Sequence, residues 1–284
     1  MNTLNIPHQR TCNCPPNHLN CLTAKEWLKA QIGIWEFDYV KSDREAKKVH
    51  PAVYPAALAK RCIEVFTHQG ELVLDPFCGT GTTLEAAQAL GRNAVGFELN
   101  QKYAEYAKAR LAQLELTGTQ QVVLCEDARN AVHYLPAGSV ALVVTSPPYA
   151  DMLNKVYKGK SRRRGDPQKV KRIKQYSQDD RDLGTLPVDA FTKELAGIFD
   201  ALRPAIRPSG NIVINTADPW QSGRRAMLPF HIAQALSQAG FTMRNVIIWD
   251  KRSLVNNAGI FGWPKTYVTV GASFEYLLHF VKEG

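Results

Sequence analysis

The sequence predicts a doubly wound α/β fold: a mostly parallel sheet of seven strands, with an antiparallel pair at one edge and a basic insertion. Three observations carry this. A short apolar strand from Glu71 to Asp75 runs through a glycine turn, Pro76-Phe77-Cys78-Gly79-Thr80-Gly81, straight into a helical stretch from Thr82 to Leu90. That order forms the ligand-binding edge of such sheets. The next two strands, Asn93 to Phe97 and Val122 to Glu126, each lead into an acid, Glu98 and Asp127. A fourth strand, Ala141 to Thr145, is stopped by Ser146-Pro147-Pro148-Tyr149, where two prolines fix φ and remove two backbone donors.

Taken in order, residues 1–47 read as a polar arm and a helix. Thr23 and Glu26 have capping-box spacing ahead of Trp27, Leu28 and Ile32. His8, Cys12, Cys14, His18 and Cys21 are ligand-type side chains without the paired spacing of zinc modules, and no metal is expected there. A Pro-punctuated loop from Lys48 leads into a helix from about Pro55 to Phe66, with Leu58, Cys62, Ile63 and Phe66 on one side. Beyond the fourth strand, Pro187 to Ala205 and Met227 to Ala239 carry helical apolar spacing around a fifth strand, Asn211 to Asn215. Phe241 to Trp249 and Phe274 to Val281 supply the antiparallel pair, joined by a long loop over 250–273. A loop of that length is usually functional. Its Asn256, Asn257 and Lys265 suit the reading of base edges, and simple edge packing is the other reading.

The chain is 284 residues long with a formal charge of +9. Ten basic residues lie between Asn154 and Tyr176, opposed only by Asp166, so the whole excess sits in that segment. A localised positive charge of this size points to a polyanion, nucleic acid first. Lys158, Lys160, Arg162, Arg163, Arg164, Lys171 and Arg172 are the candidate phosphate contacts; a solvated loop is the bland alternative. Six scattered cysteines argue against a disulfide framework. With no apolar run of membrane-spanning length and no secretory signal, a cytoplasmic protein is expected, associated with the nucleoid through DNA.

The acids identify the ligand class. A triphosphate-binding loop needs a Lys that this glycine turn lacks, and the dinucleotide fingerprint needs a third glycine where Leu84 stands. Asp75 suits an amino-bearing cation rather than a pyrophosphate, Glu98 the two hydroxyls of a ribose, and Asp127 an adenine amino group. Amine, ribose and adenine together describe S-adenosylmethionine. Each acid alone also fits a strand cap, and Ser-Pro-Pro-Tyr alone also fits a plain turn.

With HPAVYP (50–55), LDPFCGTGTT (74–83), GFELN (96–100), CEDA (125–128), TSPPY (145–149) and FEYLLHFVK (274–282), the chain resembles the amino-group DNA methyltransferases, which modify cytosine at N4 or adenine at N6. The resemblance implies a Rossmann-like methyltransferase domain over 48–284, including the basic insertion 151–185 and a target-recognition loop at 250–273. It implies that His50, Pro51, Asp75, Pro76, Phe77, Cys78, Gly79, Gly81 and Thr82 hold the methionine end of S-adenosylmethionine, Glu98 the ribose and Asp127 the adenine. Ser146, Pro147, Pro148 and Tyr149 then form the catalytic pocket for a base flipped out of double-stranded DNA. Ser146 stands where adenine-specific relatives generally carry Asp or Asn, which points to cytosine N4. The glycine loop precedes the catalytic loop, whereas many N4-cytosine enzymes have the reverse order. An RNA methyltransferase is the nearest competitor; it usually carries an RNA-binding domain, for which the arm before residue 48 is too short. A non-catalytic nucleic-acid-binding module is the other.

Overall fold

The computed structural model describes residues 3–50, 52–114, 118–150, 179–221, 224–254 and 272–283. Helices α1 (Ala24–Ala30), α2 (Lys41–Val49) and α3 (Ala56–Phe66) bracket strand β1 (Ile34–Glu36). Strand β2 (Leu72–Asp75), α4 (Thr82–Ala89), β3 (Asn93–Phe97), α5 (Gln101–Leu111), β4 (Gln121–Leu124) and β5 (Val140–Thr145) follow. The second half holds α6 (Val188–Leu202), β6 (Ile206–Thr216), a small hairpin of β7 (Trp220–Gln221) and β8 (Arg224–Arg225), α7 (Leu228–Gln238), β9 (Thr242–Asp250) and β10 (Phe274–Val281).

One eight-stranded sheet runs β1-β9-β10-β6-β5-β2-β3-β4. Only β10 is antiparallel to its neighbours, β6 and β9; the other adjacent pairs are parallel. The expected α/β sheet is present with two refinements. It has eight strands, because Ile34, Trp35 and Glu36 add beside Ile248, Trp249 and Asp250. The antiparallel strand lies inside the sheet, between β6 and β9, and β1 forms the outer edge. The alternation Trp35-Glu36-Phe37-Asp38-Tyr39 is the signal that the sequence reading passed over, and Ile34, Trp35 and Glu36 pair with the open edge of β9.

Strands buried on both faces read as continuous apolar runs, and the side chains alternate between two layers. Leu72 and Leu74 face the layer of α6 and α7, with Phe191, Leu195, Phe199, Ile232 and Leu236; Val73 faces the layer of α3, α4 and α5, with Leu58, Ile63 and Leu84. Local chemistry starts the helices. Thr23 and Glu26 form the predicted capping box on α1, and Asn100 caps α5 by accepting from Lys102 N at 3.0 Å. Residues before 48 are tied to the sheet domain: Asp43, fully buried, accepts from Ala56 N at 3.0 Å, and Ile6 lies in the core. No described helix is long and apolar enough to cross a membrane.

The chain leaves β2 toward β3 and β4, then returns to place β5 on the other side of β2. The crevice between the carboxyl ends of β2 and β5 is therefore the switch point, where open α/β sheets bind ligands.

Candidate active site

A pocket opens at that switch point. Its walls are the glycine turn (Pro76, Phe77, Cys78, Gly79, Thr80, Thr82), His50, Glu98, Asp127, and the tip Ser146, Pro147 and Pro148. The sequence-predicted cofactor and catalytic segments thus share one cavity. Asp75, Gly81 and Tyr149 stand behind the lining, and Pro51 lies outside the described residues. So do Lys158, Lys160, Arg162, Arg163, Arg164, Lys171, Arg172, Asn256, Asn257 and Lys265.

The three acidic strand ends have different partners. Asp75, 1% exposed, accepts from Phe77 N at 3.1 Å, Thr145 Oγ1 at 2.7 Å, Tyr54 OH at 3.2 Å and Thr83 Oγ1. Tyr54 OH and Thr83 Oγ1 also hydrogen-bond each other, so the two hydroxyls share their protons between that contact and Asp75, whose carboxylate is largely occupied by the protein. Burial pushes its carboxyl above the ordinary range, against the pull of those donors. It ties β2, β5 and α4 together under the pocket floor.

Glu98 has only backbone donors. Gly79 N donates to Oε2 at 2.9 Å and Asn100 N to Oε1 at 2.8 Å. Each oxygen keeps a lone pair, and the residue lines the cavity. Burial pushes this carboxyl up to about 7, with the two N–H groups pulling the other way. Asp127 caps the turn Ala128–His133 through Arg129 N at 2.9 Å, and the Arg129 guanidinium donates to Oδ2 at 3.0 Å and Oδ1 at 3.3 Å. One lone pair remains. Arg129 is itself held by Glu194 at 2.8 Å.

The glycine turn needs its glycines for separate reasons. Gly79 has φ +50°, and a Cβ there would point at the His50 ring, 3.7 Å from Nε2. Gly81, the N-cap of α4 with φ +81°, sits where a Cβ would meet Ala107 Cβ at 3.1 Å. The first opens the cavity and the second lets α4 pack on α5. Burial holds the His50 imidazole down at about 4, hence neutral at pH 7. Its Nδ1 accepts from Ala52 N at 3.2 Å, so the proton sits on Nε2, beside Gly79.

The catalytic tip is backed by residues that the sequence reading did not select. Ser146 Oγ lies 2.9 Å from Tyr149 OH, which donates to Glu275 Oε2 at 3.2 Å. Asn215 Nδ2 reaches Glu275 Oε2 at 2.8 Å and Tyr149 OH at 3.0 Å, and Lys251 pairs with Glu275. These arrive from β6, β9 and β10, more than sixty positions from the tip. Ala150, directly after it, is buried with φ +46°, a left-handed conformation that costs about 1–2 kcal/mol without glycine. Arg181, Asp182 and Leu183 close the far wall.

The site fits S-adenosylmethionine. Thr80 Oγ1 is buried, lines the cavity and has no hydrogen-bond partner among the described residues, an unmade bond that a ligand carboxylate or amine would complete. Glu98 has two acceptor positions for a diol, and Asp127 one for an amino group. Asp75 does not line the cavity, whereas His50 and the backbone and hydroxyls of the glycine turn do and could hold the methionine end.

Comparison with known proteins agrees. A family model described as DNA methylase, of N6/N4 type, matches residues 8–109 and 140–284. The type II methyltransferase M.HpaI of Haemophilus parainfluenzae is 40% identical over 78 residues, covering 28% of this chain and 25% of that protein. M.HinfI of Haemophilus influenzae, also a type II methyltransferase, is 44% identical over 73 residues, covering 26% and 20%. The chain therefore aligns with a quarter or less of these relatives. Among solved structures, TrmN from Thermus thermophilus is 19% identical with a TM-score of 0.48, covering 84% of this chain and 53% of TrmN. The family match extends over well more than half of the sequence: the chain belongs to the N6/N4 DNA methylase family, and its cofactor is S-adenosylmethionine.

Proposed function

We propose that this chain is a site-specific methyltransferase acting on the exocyclic N4 amino group of cytosine in duplex DNA. One observation carries the reading: the glycine turn, the diol-binding Glu98 and the Ser146-Pro147-Pro148 tip line a single cavity at the switch point. When bound, S-adenosylmethionine supplies an electrophilic methyl group on a sulfonium. An aromatic amine is a poor nucleophile because its lone pair is delocalised into the ring. The site's task is to accept both N–H hydrogens and turn the lone pair out of the ring plane, toward the methyl group.

Proton accounting makes Ser146 an acceptor. Glu275, paired with Lys251, can only accept, so Tyr149 spends its single proton on it. The Ser146 proton then points at Tyr149 O, Asn215 Nδ2 meets one Ser146 lone pair at 3.4 Å, and the other is left as the acceptor for the substrate amino group. The Pro148 carbonyl accepts from Ala150 N at 3.0 Å, which leaves the Pro147 carbonyl as the second acceptor. Tyr149, the stacking candidate of the sequence, stands behind the pocket lining, packed against the core and held at its hydroxyl, and here supports Ser146. Methyl transfer is direct, and positioning supplies much of its acceleration.

DNA as substrate is supported by the family and by the basic segment. The described chain leaves the catalytic tip at Ala150 and resumes at Asp179, next to the wall residues Arg181 and Asp182. Lys158, Lys160, Arg162, Arg163, Arg164, Lys171 and Arg172 lie between and serve as phosphate contacts in this reading; Asn256, Asn257 and Lys265 serve recognition. The cytosine choice rests on Ser146 standing where adenine-specific relatives generally carry Asp or Asn. The test is to methylate unmodified duplex DNA, digest it and identify the nucleosides by mass spectrometry. N4-methyl-2′-deoxycytidine is the expected product; N6-methyl-2′-deoxyadenosine alone would overturn the base choice and leave the cofactor reading standing.

A further inference from the structure

At the end of β2 opposite the pocket, His68 in the turn before the strand meets a second cluster of reactive side chains from the N-terminal arm. The sulfurs of Cys12, Cys14 and Cys21 and a ring nitrogen of His68 all lie within 4.8 Å of one another. We propose that these four residues bind one zinc ion in a closed, structural Cys3His site.

The geometry matches. Tetrahedral zinc, with Zn–S near 2.3 Å and Zn–N near 2.0 Å, spaces its ligand atoms at about 3.5–3.8 Å. Cys12 Sγ stands 3.2 Å from His68 Nδ1 and Cys21 Sγ 3.5 Å from the same atom. Without an ion, two thiols would compete for the single lone pair on that nitrogen. The other ring nitrogen settles the tautomer: His68 Nε2 donates to the His18 carbonyl at 2.9 Å, which leaves the Nδ1 lone pair for the thiol cluster. Zinc-binding histidines are usually oriented by such an outer hydrogen bond. His18, although of ligand type, contributes only this carbonyl, and the His8 ring turns to Ile6 O at 3.0 Å.

Charge also balances. Zinc, three neutral thiols and one neutral imidazole give a complex of charge −1 and release three protons to solvent. The buried Arg92 guanidinium donates to O at 2.9 Å and Oγ1 at 3.1 Å of Thr67, the residue next to His68, and supplies a fixed positive charge beside the turn. All four ligands are protein side chains, so no coordination position is open for chemistry. The site faces away from the pocket: His68 lies near the amino end of β2, whose carboxyl end carries Asp75. Its role is to staple the arm to the sheet, which Thr11 N to Gln69 O at 2.8 Å and Asn20 Nδ2 to Val65 O at 2.7 Å also do, weakly and locally.

The test is elemental analysis of the full-length protein purified under reducing conditions, together with Co(II) titration of the metal-stripped form. One equivalent of zinc is expected. Co(II) should give the visible d–d bands of a tetrahedral site and a thiolate-to-cobalt charge-transfer band, with chelation lowering Tm on the order of 10 °C. Cys12→Ser and His68→Ala should lose the metal. His68→Cys should keep it with a shifted cobalt spectrum, which separates loss of a ligand from loss of the fold. A folded, reduced protein free of zinc and silent to cobalt would overturn the site. So would a disulfide among the three cysteines, or a cobalt spectrum indifferent to His68→Ala.

Discussion

Asp75 and Glu98 end neighbouring parallel strands, yet one lies behind the cavity wall and the other lines it. The difference is the identity of their donors. Asp75 is met by Phe77 N, Thr145 Oγ1 and the hydrogen-bonded hydroxyl pair of Tyr54 and Thr83, and it does not reach the cavity. Glu98 is met only by two backbone N–H groups, which fix its direction and leave half of its capacity toward the cavity. An acid at a strand tip thus becomes a binding residue only when the surrounding hydroxyls are absent. Thr83, Thr145 and Tyr54 distinguish the two tips.

The largest expected effect breaks the Asp75 side. Asp75→Ala leaves Thr145 Oγ1 and Phe77 N without their acceptor and strips the buried Tyr54–Thr83 hydroxyl pair of its own, and costs about 2–4 kcal/mol of folding stability in urea unfolding. A variant of unchanged stability that fails to bind cofactor would erase the distinction between the two acids.

Glu98→Gln is expected to do the reverse. Stability stays close to wild type, while affinity for S-adenosylmethionine falls roughly 10- to 100-fold, the worth of a hydrogen bond to a charged group. The pH dependence has a defined sign. The free carboxyl titrates at about 7, and a diol donates to its ionised form, so affinity rises with pH through 7 and levels off above. Below 7 it is lost by up to about tenfold per pH unit. Stability of the ligand-free protein moves the other way. Because the folded-state value is raised, the charged carboxylate is a burden above its unfolded value, and that burden lifts as pH falls through 7. Calorimetric titration from pH 5.5 to 8.5 checks both, and the glutamine variant should flatten both.

The contrast also marks how far the sequence could be read. Strands β2, β3 and β5 announce themselves because they are buried on both faces, so their apolar runs need no partner to be recognised. The glycine turn is legible because two positive-φ positions demand glycine. What sequence order hides is convergence. Asn215, Lys251 and Glu275 reach Ser146 and Tyr149 from other strands, and Arg129 occupies most of Asp127. His68 lies far along the chain from the cysteines that it meets, so the spacing of the arm alone suggests no site. Helices α2 and α5 likewise owe their position to what they pack on.

Asp127 stands between the two extremes and provides the finest measurement. Arg129 takes most of its capacity, and one acceptor position remains for an adenine amino group. Asp127→Asn keeps a carbonyl oxygen but aims an amide NH2 at the Arg129 guanidinium or at the adenine, so one of the two contacts is lost. A single neutral hydrogen bond contributes about 0.5–1.5 kcal/mol, hence a loss of roughly two- to tenfold in cofactor affinity, smaller than for Glu98→Gln. Affinity alone does not show that the amino group is the partner. The decisive comparison is a cofactor analogue lacking the 6-amino group, measured against both proteins. Wild type should bind the analogue several-fold less tightly than S-adenosylmethionine, and Asp127→Asn should bind the two nearly alike, since the contact that discriminates them is gone. If the variant discriminates as strongly as wild type, Asp127 is a cap for the Ala128–His133 turn and the adenine is read elsewhere.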